Sequence, residues 1–404
     1  MTPIPASFSE TQREFAKRIF QEKRVDIERE FKGMGPEAAK AKVQSLAARF
    51  NRSNPWAGSS ATRDKLRSQA GWWKAIGADN TVLSWILCGA RLPMVEEPIP
   101  PDFPNHPSYD EHEAFAEKEI AAAVAEGTFR PISAQEARIV NPISIEPNKA
   151  GTKLRMCVDA RWHNAHLPRI RFKLETIEGN LSDVVRQHDA MLTTDISRAY
   201  YSVPIVEEAT PYLAVRHRGQ LFAPTVLPFG SSLAPFIFNK ITRTVVRFAR
   251  FVGVRVLNFY DDFLWAAESA KAHALAAWVR WFLPASGWVL NAKCRWDPAH
   301  LQEFLGFDVD AKAYTVHVTK ERIERAVQTL ASMVGKADVS MRPLEQLIGQ
   351  ISSMRAAVTP VQLWTRELYR SLAGAKDANE NAKTVRLSAG AVKEIQFWAE
   401  QLRL

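Results

Sequence analysis

Two adjacent aspartates set between apolar runs constrain this 404-residue chain more than any other feature. In VLNFYDDFLWAA (256–267), Asp261 and Asp262 have Val, Leu and aromatic residues on both sides. Short runs of this kind read as strands, so the acids are expected at the tip of a strand–turn–strand. Such a tip holds two carboxylates side by side. Flanked by buried-type residues, they repel one another unless a metal or another partner offsets the charge. A bare Asp-Asp pair is more often a solvated turn, and only the setting makes this one a candidate site.

A third acid completes the pattern. MLTTDISRAYYSVPI (191–205) places Asp195 at the end of an apolar strand, just before an aromatic pair. Phosphoryl transfer to a 3′-hydroxyl needs two cations a few ångströms apart, one activating the attacking oxygen and one stabilising the leaving pyrophosphate. Hard carboxylate oxygens suit Mg²⁺, with Mn²⁺ as a substitute. The expected metal ligands are therefore Asp195, Asp261 and Asp262.

The formal charge of +9 and a pI near 9.4 suit a polyanionic partner. Much of the excess lies early: residues 1–74 hold 15 Lys/Arg against 8 Asp/Glu, a net of +7. Cys88, Cys157 and Cys294 lie far apart without CxxC spacing, which fits reduced, buried thiols in an intracellular protein. No apolar signal core opens the chain and no run is long enough to span a bilayer, so neither secretion nor a membrane is expected.

Residues 10–50 read as helix, with Phe15, Ile19 and Phe20 near one face. The stretch NRSNPWAGSSAT (51–62) reads as a linker, and a helical stretch with Trp72, Trp73 and Trp85 follows. Proline-dense 94–107 is expected to be extended, and a helix over 110–126 should stop at Gly127. Hairpins are expected over 139–161, turning at N-K-A-G, and over 212–227, turning at Arg218–Gly219. Strand pairs are expected over 256–267 and 302–318. The remainder reads as helical: Leu344, Leu347, Ile348, Ile351 and Met354 follow Ser340 and Pro343. Thr359–Pro360 opens another helix, and Ser388 caps one carrying Val392, Ile395 and Trp398. Strands and helices mixed in this way indicate an α+β class.

Taken in order, LTTDISRAYY, LPFGSSLAPFIFNK, NFYDDF, GWVLNAKC and EFLGFDV resemble the successive palm motifs of reverse transcriptases, with LRMCVDARWHN upstream resembling their fingers strand. The resemblance spans roughly residues 139–310. More narrowly, WWKAIGADNTVLSWILCGARL, MRPLEQLIGQISSMRAAV and LWTRELYRSL resemble the flanks of DIRS-type retrotransposon enzymes, related to those of LTR elements. The implied architecture is a right-hand polymerase: a basic helical N-terminal extension (1–93), fingers (94–182), an antiparallel palm (183–319) with an inserted hairpin (202–226), and a helical thumb (320–404).

The resemblance also implies roles. Asp195, Asp261 and Asp262, with the backbone carbonyl of Ile196, would hold the metals, and Lys293 would donate a proton to the leaving pyrophosphate. Tyr200 would select against a 2′-hydroxyl, which favours dNTPs. Phe229 and Gly230 would lie beneath the nascent pair. Arg155 would grip the triphosphate, with Lys149 or Lys153 assisting; Asn148 stands where retroviral relatives carry a lysine, so the grip would rely more on Arg155. Leu305, Gly306 and Phe307 would form the primer grip. Phe259 stands where the family usually has tyrosine, leaving the carboxylates intact.

The expected partners are a template–primer of RNA, DNA or both. Residues 320–404 show no second spaced acidic set, so removal of an RNA strand would fall to an RNase H domain or protein elsewhere. Two other readings stay open at this point: an RNA-directed RNA polymerase, which Tyr200 argues against, and a non-catalytic scaffold, against which the three retained carboxylates argue.

Overall fold

The computed structural model describes residues 1–98, 102–147, 153–379 and 383–402. Lys149 and the N-K-A-G turn lie outside the described residues. The chain divides into two compact units: Met1–Leu174, Thr194–Phe263 and His273–Trp296 form the first, and Glu175–Thr193, Leu264–Ala272 and Asp297–Leu404 form the second.

In the first unit, the start of the chain is three helices rather than the single stretch expected. Ser9 opens Glu10–Gln21 with a capping box through Gln12. The Asp26 carboxylate caps Ile27–Phe31, and Pro36 sits in the first turn of Pro36–Phe50. Local caps thus divide a sequence whose apolar spacing alone reads as continuous. Lys74, wholly buried, donates from Nζ to the carbonyls of Ile19 at 2.8 Å and Glu22 at 2.5 Å, closing the C-terminal end of the first helix.

The expected linker is folded. Trp56 and Asn54 are buried, and Asn54 Nδ2 donates to the carbonyls of Arg67 at 2.9 Å and Ser68 at 3.1 Å. Trp72 and Trp73 pack edge-on at 5.2 Å, and Trp73 Nε1 donates to Ser286 O at 2.9 Å.

A four-stranded sheet follows in the order Phe129–Ile132, Gln220–Pro224, Ala214–His217, Val140–Asn141. Its hairpin turns at Arg218 (φ 47°) and Gly219 (φ 77°), and positive φ at both central residues matches the twist of the strands it joins. Ile143–Pro147 pairs antiparallel with Leu154–Val158, setting Glu146 opposite Arg155. The helix expected over 110–126 is split into Pro107–Glu111 and Glu113–Ala125, and Gly127 (φ 70°) stops it as expected.

The remaining four-stranded sheet has the order Arg295–Ala299, Asp189–Asp195, Asp262–Glu268, Arg255–Phe259. The helix Ala234–Phe251 buries Ile237, Phe238, Ile241, Val245 and Phe248 along one face.

In the second unit, Leu301–Phe304, Phe307–Asp310 and Thr315–Val318 form an antiparallel three-stranded sheet, where a strand pair was expected. Leu344, Leu347, Ile348, Ile351 and Trp398 share one apolar core. Ser388 caps Ala389–Gln401 as expected. Thr359–Pro360 opens only a short 3₁₀ turn, and Lys320–Ala331 and Arg366–Ala378 are further helices. Among the described residues, no helix is long and apolar enough to cross a membrane.

Candidate active site

The Asp-Asp tip lies in the first unit. Tyr260 turns the chain with φ 54°, and Asp262 starts the next strand. The buried Asn258 side chain donates from Nδ2 to the carbonyls of Tyr260 at 2.8 Å and Asp262 at 3.2 Å, so the turn is held from within. Ile196 N donates to Asp261 O at 3.1 Å, which brings the residue after Asp195 directly against the tip.

Asp195 is fixed from its other side. Its carbonyl accepts from Asn291 N at 2.8 Å, while Ile196 bridges Leu290 antiparallel and Ser197 N donates to Val289 O at 2.8 Å. Asp195 N donates to Cys294 Sγ at 3.3 Å. Lys293 belongs to the same 291–294 turn, its N–H donating to Asn291 Oδ1 at 3.1 Å.

Burial pushes all three carboxyls above their ordinary range. The Asp261 and Asp195 charges add to burial to lift Asp262 to about 7, while Lys293 opposes the rise. Burial raises Asp261, and the Asp195 charge adds to it. Asp195 itself is raised by burial and restrained by Lys293. These couplings put the three acids and Lys293 in one electrostatic neighbourhood.

Among the described residues, no three His, Cys, Asp or Glu side chains already converge as a finished metal cage. The donor chemistry nonetheless fits a divalent cation. Part-buried carboxylates that resist ionising together are relieved by a hard positive charge, whose remaining ligands can be water and phosphate.

Tyr200 lies on a 3₁₀ turn, Ala199–Ser202. Its ring sits 5.1 Å from Phe229 and 5.6 Å from Phe238. Burial, with Tyr260 and Asp261 adding, holds its phenol at about 12, so it stays protonated. Phe229 is 53% exposed and also meets Tyr201 at 5.2 Å, presenting an aromatic face beside Tyr200. Gly230 has φ 95°, and a Cβ there would approach Val158 O to 3.0 Å. Asn164 holds this loop through Nδ2 to Gly230 O at 2.7 Å and by accepting from Ser232 N at 2.8 Å. Arg155 is exposed on the strand leading to Val158, and Lys153 is exposed at its start. Cys157 on the same strand is exposed and Cys294 half-buried, so of the three thiols expected to be buried only Cys88 is.

Leu305–Phe307 belongs to the second unit. Leu305 (φ 52°) and Gly306 (φ 76°) make a tight turn, whose carbonyls accept from Arg322 Nη1 at 3.1 and 3.2 Å. Sequence reasoning gave no site role to Asn258, Cys294, Asn164 or Arg322. Each acts on backbone atoms; the first three lie inside NFYDDF, GWVLNAKC and LRMCVDARWHN, where position in a motif could have raised them, and Arg322 lies outside every motif.

Residues 126–309 match the family described as Reverse transcriptase (RNA-dependent DNA polymerase). The Tf2-3 and Tf2-7 transposon polyproteins of Schizosaccharomyces pombe are each 25% identical over 287 residues, which is 70% of this chain and 19% of theirs. The chain thus spans about a fifth of the length of these curated relatives. Among solved structures, the foamy viral protease-reverse transcriptase in complex with RNA/DNA hybrid is similar over all of this chain and 47% of its own, at 16% identity and TM-score 0.63. The same viral protein in complex with dsDNA is similar over all of this chain and 73% of its own, at 15% identity and TM-score 0.61. The fold is therefore that of a polymerase of this kind.

Proposed function

We propose, from the premise that residues 126–309 belong to the reverse transcriptase family, that this chain is an RNA-directed DNA polymerase of retrotransposon origin. It adds dNTPs to a primer 3′-hydroxyl on a nucleic-acid template. The observation that carries the reading is the joining of Asp195 to the Asp261–Asp262 tip through the Ile196–Asp261 hydrogen bond, with Lys293 on the adjoining turn. A scaffold with no chemistry to perform has no need of three part-buried acids, all raised by burial and two of them further by a neighbouring acid.

Asp195, Asp261, Asp262 and the Ile196 carbonyl would hold two Mg²⁺ ions, for which Mn²⁺ would substitute. The bound ions supply Lewis-acid stabilisation of the attacking and leaving oxygens. Every other role falls to side chains. Tyr200, backed by Phe238 and flanked by Phe229, closes the space a 2′-hydroxyl would occupy. Arg155 orients the triphosphate, with Lys153 or Lys149 assisting. Lys293 gives its proton to the leaving pyrophosphate as the new ester bond forms. Leu305–Phe307 supports the primer end, its turn stiffened by Arg322. The work would be done inside the cell. A DIRS-type origin rests on the flanking sequences alone.

The test is primer extension on a primed RNA template with dNTPs or rNTPs. Asp261→Asn and Asp262→Asn should each abolish divalent-cation-dependent dNTP addition, and Tyr200→Ala should admit rNTPs. Undiminished incorporation by either Asn variant rejects the metal assignment.

A further inference from the structure

The backbone of Asp195 is gripped by a sulfur. Asp195 N donates to Cys294 Sγ at 3.3 Å, and Cys294 Sγ in turn donates to Asp195 O at 3.6 Å. The same carbonyl accepts from Asn291 N at 2.8 Å, and Cys294 N closes the turn on Asn291 O at 3.2 Å. A thiol with its proton both accepts and donates, so one half-buried side chain holds both polar atoms of one peptide residue.

The grip falls where regular pairing is running out. The strand ends at Asp195, and beyond it only single bonds tie the chain to residues 289–291. An unsatisfied part-buried N–H at that point loosens the last residue of the strand, and that residue is the acid. Cys294 also follows Lys293, so one short turn fixes the Asp195 backbone and presents the lysine beside the carboxylates.

From this geometry we infer that Cys294 is a positioning residue for the cation site, acting through the Asp195 backbone rather than touching metal or substrate. The inference rests on the polymerase reading and assigns the cysteine a role in metal affinity. Residues that orient metal ligands typically change affinity by roughly 10–100-fold when removed.

The experiment uses the full chain and Mn²⁺ alone as the probe, titrated by electron paramagnetic resonance without nucleotide or template. Cys294→Ala removes both bonds. Cys294→Val does so while filling the space, in case alanine leaves the turn unable to fold. Cys294→Ser keeps a group that donates and accepts. Alanine and valine should weaken Mn²⁺ binding by roughly tenfold, and serine should recover most of it, with thermal melting in EDTA little changed. dNTP incorporation by the alanine variant should recover when Mn²⁺ is raised to saturation, and its dNTP KM should hold. Unchanged Mn²⁺ affinity in folded alanine or valine variants overturns the inference while leaving the polymerase reading intact. Absence of Mn²⁺ binding by the unmodified chain, or binding unaffected by Asp261→Asn, also overturns the inference, and the polymerase reading then stands or falls on primer extension alone.

Discussion

His163 should make the first unit acid-sensitive. Its imidazole is fully buried, and neither ring nitrogen has a hydrogen-bond partner among the described residues. Burial, reinforced by His166, pulls it from 6.5 down to about 4. The unfolded chain therefore takes up this proton before the folded one does. The folded state keeps its full stability above pH 6.5, loses it as pH falls, and reaches the full loss below about 4. A gap of about 2.5 pH units corresponds to about 3.4 kcal/mol at that limit. Between pH 7.5 and 5.5 the same gap gives a loss of about 1.3 kcal/mol. His163→Leu removes the titration and fills the site with apolar volume. Urea denaturation of both proteins at the two pH values isolates the term, because every other titrating group is common to them. The leucine variant should lose about 1.3 kcal/mol less than the unmodified chain over that interval. An equal loss in both proteins refutes the reasoning.

Two further substitutions probe the scaffold. Lys74→Met should strip the carbonyls of Ile19 and Glu22 of their donor and lower stability by about 2–3 kcal/mol. Trypsin should then cut within Glu10–Gln21 sooner, whereas a change below about 0.5 kcal/mol by urea titration would show those carbonyls satisfied without the ammonium. Gly287→Ala places a Cβ 2.3 Å from Lys65 O at φ 98°, so a loss above about 3 kcal/mol or an insoluble product is expected. Gly349→Ala, within Met341–Ser352 and with nothing near its Cβ, should instead gain about 0.5–1 kcal/mol. Matching outcomes in the two glycine variants would contradict the steric account.

What could be read in the sequence depended on whether the physics was local. Asp261 and Asp262 betray themselves because charge inside an apolar run is conspicuous, and Arg218–Gly219 because few residues accept positive φ. The Asn258 clamp, the Asn164 tie to the loop at Gly230 and the Cys294 grip leave no such trace. Cys294 reaches a residue 99 positions away, and nothing in either segment marks the pairing. The stretch at 51–62 misled for a related reason. Asn, Ser, Gly and Pro are the currency of flexible connections, yet they also satisfy stray carbonyls in a folded one, and Asn54 does the latter. In the second unit, apolar spacing revealed the helix Met341–Ser352, whereas Lys320–Ala331 and Arg366–Ala378, read only as part of a helical remainder, bury few residues that could mark their bounds.

The rings behind Tyr200 carry a consequence for protein engineering. Tyr200 touches Phe238, Phe238 lies 6.0 Å from Trp288, Trp288 lies 5.3 Å from Trp73, and Trp73 abuts Trp72. The backing of the tyrosine proposed for nucleotide choice thus begins more than fifty positions before the segment that matches the reverse transcriptase family model. Transplanting that segment into a chimera would carry every palm motif across while leaving behind the wall against which one of them leans.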